Sequence, residues 1–106
     1  MVIENLAEQY ERGRLFFDSE DYIGAARILA EVVAAAPENL AARLLLARAY
    51  YHSAQLGRAE AELRVILDRD PAEGYACLLL GRTLQRQNRT KEAEPYLRLH
   101  AAMTGE

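Results

Sequence analysis

A chain of 106 residues is the size of one domain, and its apolar content of 51% is ordinary for a folded globular protein. Its net charge of −3, with both signs interspersed, argues against a nucleic-acid-binding protein, which usually carries a basic excess. The single cysteine excludes an internal disulfide framework and fits a reducing compartment. The first residues have neither a basic start nor a sustained apolar run, so we expect no signal peptide, no membrane segment and a cytoplasmic setting.

The first predicted helix pair lies in residues 6–39. Apolar and small residues recur at three- and four-residue steps from Ile3 to Phe17, which is the spacing of a helix. A polar cluster follows, and its last residue, Asp21, is expected to cap a second helix. That helix should stop before Pro37, because the residue preceding a proline is disfavoured in helical conformation.

Two further helix pairs are predicted in residues 40–73 and 74–106. Asn39 is expected to cap the third helix, and residues 88–90 are expected to provide the turn and the cap before the sixth. Pro95 falls in the second turn of that last helix, where it removes a backbone donor. We expect a small local distortion there and not a break.

The three pairs repeat at an interval of 34 residues. A fixed interval in this range is typical of an array in which each unit stacks on the next to bury its apolar face. We therefore predict one all-α domain, residues 1–106, containing six antiparallel helices. The residues that recur at this interval are Pro37 and Pro71; Arg14, Arg48 and Arg82; Ala25, Ala59 and Ala93; and Leu29, Leu63 and Leu97.

Small side chains mark where the helices are expected to approach most closely. The first helix of each unit has glycine or alanine at one position, and the second helix has alanine at another. Large residues on either side are expected to fill the remaining space. The small residues are Gly13, Ala47 and Gly81 in the first helices, and Ala25, Ala59 and Ala93 in the second.

Residues 47–51, residues 21–26 and the pair Asp70-Pro71 resemble the tetratricopeptide repeat, whose 34-residue consensus has a small residue and an aromatic in the first helix, alanine in the second and a closing proline. The resemblance extends over residues 6–106 and implies a right-handed α-solenoid of three helix-turn-helix repeats. One departure is that the early bulky residue of the family is replaced in the three units. The replacing residues are Gln9, Arg43 and Cys77.

The sequence contains no arrangement typical of an enzyme. It has no glycine-rich run that could bind a phosphate. His52 and His100 lie far apart and have no second ligand at metal spacing, so we expect no metal. Cys77 is expected to be a small buried residue and not a reactive thiol. We therefore expect a protein that is not an enzyme and uses no cofactor.

The resemblance implies that the first helix of each unit lines a concave groove. The candidate groove residues combine one arginine per unit with aromatic and aliphatic neighbours. Arginine's planar guanidinium suits carboxylates and peptide carbonyls, and aromatic anchors dominate peptide-binding energetics. We expect a protein or peptide partner with acidic and apolar residues, bound by Tyr10, Arg14, Phe17, Leu44, Arg48, Tyr51, Tyr75, Leu78 and Arg82.

A purely structural alternative stays open. Arg14 could pair with Asp18 or Glu11 on its own helix, and the aromatic residues could be half-buried packing residues. Arg48 and Arg82 have no acidic residue three or four positions away, which favours the groove. The expected function is a non-catalytic interaction module: a scaffold, an adaptor or a co-chaperone-like protein.

One specific mode within the family can be excluded from the residues. Members that bind the acidic tail of heat-shock chaperones use lysine, asparagine, asparagine, lysine and arginine at set groove positions. None of the five residues matches here, so no such carboxylate clamp is expected. The residues at those positions are Tyr10, Arg14, Leu45, Tyr75 and Leu79.

A second function is a self-assembling structural unit. The last predicted helix has no following repeat in this sequence, so its apolar residues could pack against another copy, which would give a homodimer if the contact has two-fold symmetry. The residues predicted for this contact are Tyr96, Leu99 and Met103.

Overall fold

The computed structural model describes residues 5–105, and in these residues it contains six α-helices and no strand. The predicted all-α class is therefore confirmed. Ile3, which we assigned to the first helix, lies outside the described residues. The helices are α1 (Leu6–Asp18), α2 (Tyr22–Ala35), α3 (Leu40–His52), α4 (Leu56–Arg69), α5 (Gly74–Arg86) and α6 (Thr90–Thr104).

Four of the six helices have an N-cap residue whose side chain accepts a hydrogen bond from the first turn. Asp21 and Asn39 accept hydrogen bonds of 2.9 and 3.0 Å from the backbone amide three residues later, as predicted. Asn5 and Glu73 do the same for α1 and α5, at 2.8 and 2.5 Å. Each cap satisfies an amide that has no partner within the helix. The pattern explains why the helices begin where they do.

The cap of α6 lies within the predicted residues 88–90, but it makes no side-chain hydrogen bond to the first turn. Thr90 is already the first helical residue, the cap position is Arg89, and no side chain there accepts a hydrogen bond from the first turn. Arg89 has no acceptor atom, and its guanidinium bonds Glu60 and Glu92 instead. Pro95 lies inside α6, which continues without a break to its end.

The turn inside each helix pair contains one residue in left-handed conformation. These residues are Glu20, Ala54 and Asn88, with φ of 63°, 60° and 62°. They are spaced at the repeat interval of 34 residues, although none of them is a glycine. The three turns therefore share one backbone geometry.

The small residues lie at close contacts between helices, as predicted. A methyl group on Gly13 would come within 2.8 Å of Leu29 Cδ2, and one on Gly81 would come within 2.5 Å of Leu97 Cδ2. Leu29 and Leu97 would have to move to admit a methyl group, so the two glycines favour close packing of the helices in these pairs. The fully buried alanines of the second helices are Ala25, Ala59 and Ala93.

The molecule is elongated, with extents of 50 × 24 × 20 Å. One core cluster joins α2 to α3 around Leu29 and Leu46, and another joins α3, α4 and α5 around Leu63 and Leu80. The backbones of α1, α3 and α5 approach one another closely in order, whereas those of α2, α4 and α6 do not. Because the first helices converge and the second helices splay apart, α1, α3 and α5 lie on the inner side of the curve.

Candidate functional site

The inner side of the curve, formed by α1, α3 and α5, is called the groove face below. Its centre is the guanidinium of Arg48 on α3. The Arg48 Cζ atom lies 4.7 Å from the ring centre of Phe17 and 5.6 Å from that of Tyr75. The two rings belong to α1 and α5, so one cation contacts an aromatic residue of each neighbouring pair. Such contacts stabilise a positive charge through the ring quadrupole.

The charge of Arg48 has no acidic partner among residues 5–105. Its Nε atom is buried and has no hydrogen-bond acceptor. Buried polar groups are nearly always hydrogen-bonded, and one left without a partner is costly. Arg48 is therefore a cation held in a fixed position, and the donors it can offer to another molecule are its two Nη atoms, which make no hydrogen bond within residues 5–105.

Aromatic rings continue from Phe17 towards the end of α3. His52 stacks on Tyr22 with ring centres 4.7 Å apart, and its ring also meets the edges of Phe17 and Tyr51 at 5.9 and 5.6 Å. Phe17 in turn meets Tyr22 at 5.1 Å. Tyr22 was missed by the sequence reading because it belongs to α2. The aromatic residue directly after the Asp21 cap was the signal that could have identified it.

The same contact recurs one repeat later. Arg86 at the end of α5 lies over the ring of Tyr51 at 4.7 Å, and its Nη1 donates a hydrogen bond of 3.0 Å to the Tyr51 carbonyl. Arg86 and His52 occupy equivalent repeat positions, as do Tyr51 and Phe17. The second and third units thus each place the last residue of their first helix against an aromatic ring of the preceding unit.

Burial lowers the pKa of His52, and the charges of Arg48 and Arg86 lower it further, while Glu20 acts in the opposite direction. The imidazole is therefore more easily kept neutral than a free histidine side chain. The positive charge at this end of the groove face is therefore carried by Arg48 and Arg86.

The remaining predicted groove residues differ in their exposure. Tyr10, Leu44 and Leu78 are half-buried, and Arg82 is exposed with no hydrogen bond or ion pair among residues 5–105. Arg14 is exposed and lies 3.7 Å from Glu11, as the structural alternative proposed. Both side chains of that pair are more than half exposed, so the pair contributes little to stability.

The residues predicted for self-association fall into two groups. Tyr96 is half-buried, and its hydroxyl accepts a hydrogen bond of 3.0 Å from Arg64 of α4, so it already contacts the preceding pair. Leu99 and Met103 are 44% and 41% exposed. Leu99 borders a cleft of about 390 Å³ between α4, α5 and α6, in which Cys77 is part of the wall. Cys77 itself is fully buried, as predicted.

Within residues 5–105, no three histidine, cysteine or acidic side chains come together as a set of metal ligands. None of the helices there combines the length and the apolar character that crossing a bilayer requires.

Comparison with known families matches residues 16–75 to the tetratricopeptide repeat, which is more than half of the chain. The chain belongs to the tetratricopeptide repeat family. Repeats of this family are generally non-catalytic scaffolds, so membership supports a protein–protein interaction module. No curated protein sequence matches the chain in the comparison made.

Solved structures of MamA share this solenoid fold. A mutant of MamA superposes with a TM-score of 0.92 at 20% identity, over 96% of this chain and 56% of the MamA chain. MamA from Desulfovibrio magneticus RS-1 superposes with a TM-score of 0.88 at 27% identity, over 95% of this chain and 57% of that one. The chain thus spans little more than half the length of these two structures.

Proposed function

We propose that the chain binds an acidic and partly apolar segment of a partner protein along the groove face, as a non-catalytic scaffold or adaptor of the cytoplasm. The observation that carries the proposal is Arg48, held between the rings of Phe17 and Tyr75 without an acidic partner in the described chain. A carboxylate from another protein would supply the missing charge, and the rings would provide apolar contact on both sides.

The distribution of charge supports an acidic partner. The chain as a whole carries a net charge of −3. Arg48 and Arg82 are nevertheless the only charged residues among the groove positions predicted in the second and third units, and Arg86 adds a third positive charge beside Tyr51. Complementary charge of this kind steers association and selects partners.

The test first captures a partner protein on the immobilised chain and identifies it by mass spectrometry. Calorimetry with the purified partner then measures the binding affinity. Arg48→Met keeps a side chain between the two rings and removes the charge, and Arg82→Ala removes an exposed charge without loss of packing. We expect both to weaken binding and to reduce its salt dependence. Arg98→Ala, an exposed arginine on α6, is the matched control and should bind normally. A partner indifferent to both groove variants would overturn the proposal.

Self-association through the last helix is a second candidate. It is favoured by the exposure of Leu99 and Met103, since exposed apolar residues that lie together often mark an interface. A second copy covering the cleft beside Leu99 would bury both side chains. This candidate concerns α6 and leaves the groove face free, so the two proposals are tested separately.

A further inference from the structure

The groove face contains a cleft of about 490 Å³ between α1 and α3, at the end opposite to Arg82. Its polar lining residues are Glu11 and Asn39, and Arg14 adjoins it through the 3.7 Å contact with Glu11. Its apolar wall is formed by Leu6, Ala7, Tyr10, Val32, Ala36 and Ala41. Three of these side chains are alanines, which explains why a cavity remains where the neighbouring helices meet.

The next repeat shows what occupies the equivalent place. Ala41 and Tyr75 are 34 residues apart and hold the same repeat position, as do Arg14 and Arg48. In the later repeat, the ring of Tyr75 lies 5.6 Å from the Arg48 guanidinium. In the earlier repeat, alanine replaces the ring. No aromatic ring among residues 5–105 lies against Arg14.

Arg14 therefore differs from Arg48 in what surrounds it. Its side chain is 52% exposed, and its only ion pair in the described chain is the 3.7 Å contact with the exposed Glu11. Exposed pairs of this type are readily exchanged for a better partner. The guanidinium can stack on a ring with its face and bind a carboxylate with its edge at the same time.

We propose that this cleft accepts a tyrosine or phenylalanine side chain of the partner. The ring stacks on the Arg14 guanidinium as Tyr75 stacks on that of Arg48. A neighbouring carboxylate of the partner binds the edge of the same guanidinium. The partner segment thus supplies the ring that the chain lacks at Ala41. The inference rests on the groove function proposed above and adds a specific anchor to it. Aromatic side chains that fill such clefts are typical hot spots of binding.

The test is an NMR titration of the ¹⁵N-labelled chain with synthetic peptides. The probe is a Gly/Ser peptide containing one central Glu-Tyr-Glu, and the two comparison peptides replace the tyrosine by alanine or both glutamates by glutamine. The first probe should shift the amides of Ala7, Tyr10 and Ala41. Loss of the ring should weaken binding about tenfold or more, the range expected for a hot-spot contact.

Two variants of the chain make the test specific. Ala41→Tyr places the missing ring within the chain, and because Ala41 is exposed the variant should fold and bind the probe about tenfold more weakly. Tyr75→Ala removes the exposed ring of the next repeat and should create a second responding site near Arg48. This second variant gives a gain of binding, which a folding defect cannot imitate.

The outcomes separate this inference from the general groove function. If the probe shifts amides around Arg48 but binds Ala41→Tyr as well as the wild type, the aromatic cleft is refuted and the groove function stands. If the alanine peptide binds as tightly as the tyrosine peptide, the cleft is refuted in the same way. If none of the peptides shifts any groove amide at millimolar concentration, the aromatic cleft is refuted, whereas the groove function is decided by the captured partner and the Arg48 and Arg82 variants.

Discussion

Arg89 Nη1 donates a hydrogen bond of 2.6 Å to Glu60 Oε1, although the two residues belong to different helix pairs. The same carboxylate accepts hydrogen bonds from Arg64 Nε at 3.0 Å and from Gln87 Nε2 at 3.2 Å. Arg89 also binds Glu92 at 2.7 Å. Glu60 is largely buried, so the network ties α4 to the turn that precedes α6.

Removal of this carboxylate should destabilise the fold. Glu60→Ala removes the acceptor shared by three partly exposed donors, which we expect to cost about 1 kcal/mol in urea melts. Burial alone raises the pKa of Glu60, but the hydrogen bonds from Arg89, Arg64 and Gln87 outweigh it and bring the pKa below 4.5. The stability that the Glu60 carboxylate contributes should therefore be fully present above pH 4.5, and it should be lost as the pH falls through the folded-state pKa.

The control for this prediction is Glu94→Ala, which removes an exposed acid from α6. It should change the free energy of unfolding by no more than about 0.5 kcal/mol. Equal effects of the two substitutions would mean that the Glu60 network contributes no more than a surface charge.

The stability of the chain should also depend on pH through His52. Its pKa is lower in the folded chain than the ordinary value of 6.5, so the unfolded chain binds a proton more readily. The free energy of unfolding should not depend on His52 protonation above about pH 6.5, and it should decrease as the pH drops below that value. Urea melts at about pH 7.5 and about pH 5.5 will measure the difference, which should be smaller in His52→Gln. An identical difference in that variant would assign the pH dependence to other groups.

The contact at Ala59 should not tolerate a larger side chain. Ala59 is fully buried, and Ala59→Leu should cost about 1–3 kcal/mol by overpacking the contact between helices. Ala61→Leu adds the same atoms to an exposed position of the same helix and should be nearly neutral. Equal midpoints for Ala59→Leu and the wild type in urea melts would show that the helices can move apart there without cost.

The turn at Ala54 should gain stability from glycine. Alanine in left-handed conformation costs about 1–2 kcal/mol, of which the extra chain entropy of glycine offsets a part, so we expect a gain of about 0.5–1 kcal/mol. Asn88→Gly should gain less, because asparagine tolerates this conformation better. Ala61→Gly, in the middle of α4, should instead lose about 1 kcal/mol. Thermal melts of the three variants will give the order, and a loss at Ala54 would contradict the assigned turn geometry.

Self-association predicts a concentration-dependent mass. If α6 forms the interface, sedimentation at micromolar concentration should show a dimer, and Leu99→Glu or Met103→Glu should dissociate it, since each places a charge in a buried apolar contact. Glu94→Gln leaves these two residues unchanged and should not affect the mass. A monomer at every concentration would remove this candidate.

The helices could be predicted from the sequence because their signals are local. The apolar spacing and the caps Asp21 and Asn39 operate within a few residues, and the 34-residue interval repeats them. The left-handed residue in each turn escaped prediction because glutamate, alanine and asparagine share no pattern there. Residues 88–90 were predicted as turn and cap, and the cap is Arg89, but α6 already begins at Thr90.

Contacts between distant positions could not be predicted in the same way. Arg43, which replaces the early bulky residue of the family, is buried and bonded to Glu62 at 2.6 Å and to the Pro37 carbonyl at 3.0 Å. Periodicity defines which face of a helix is apolar, but not which partner a long polar side chain reaches on the next helix. For the same reason the sequence placed Phe17 and Arg48 on one face without showing that they touch.

Within residues 5–105, the backbones of α1 and α2 make no contact with those of α5 and α6. In the described chain the two ends are therefore connected through the central pair, and with nearest-neighbour contacts either end can open while the rest stays folded. A partner segment that lies along all three pairs would connect the ends directly. Occupation of the groove would then make them open together, and a molecule that frays at each end independently would become a single cooperative unit.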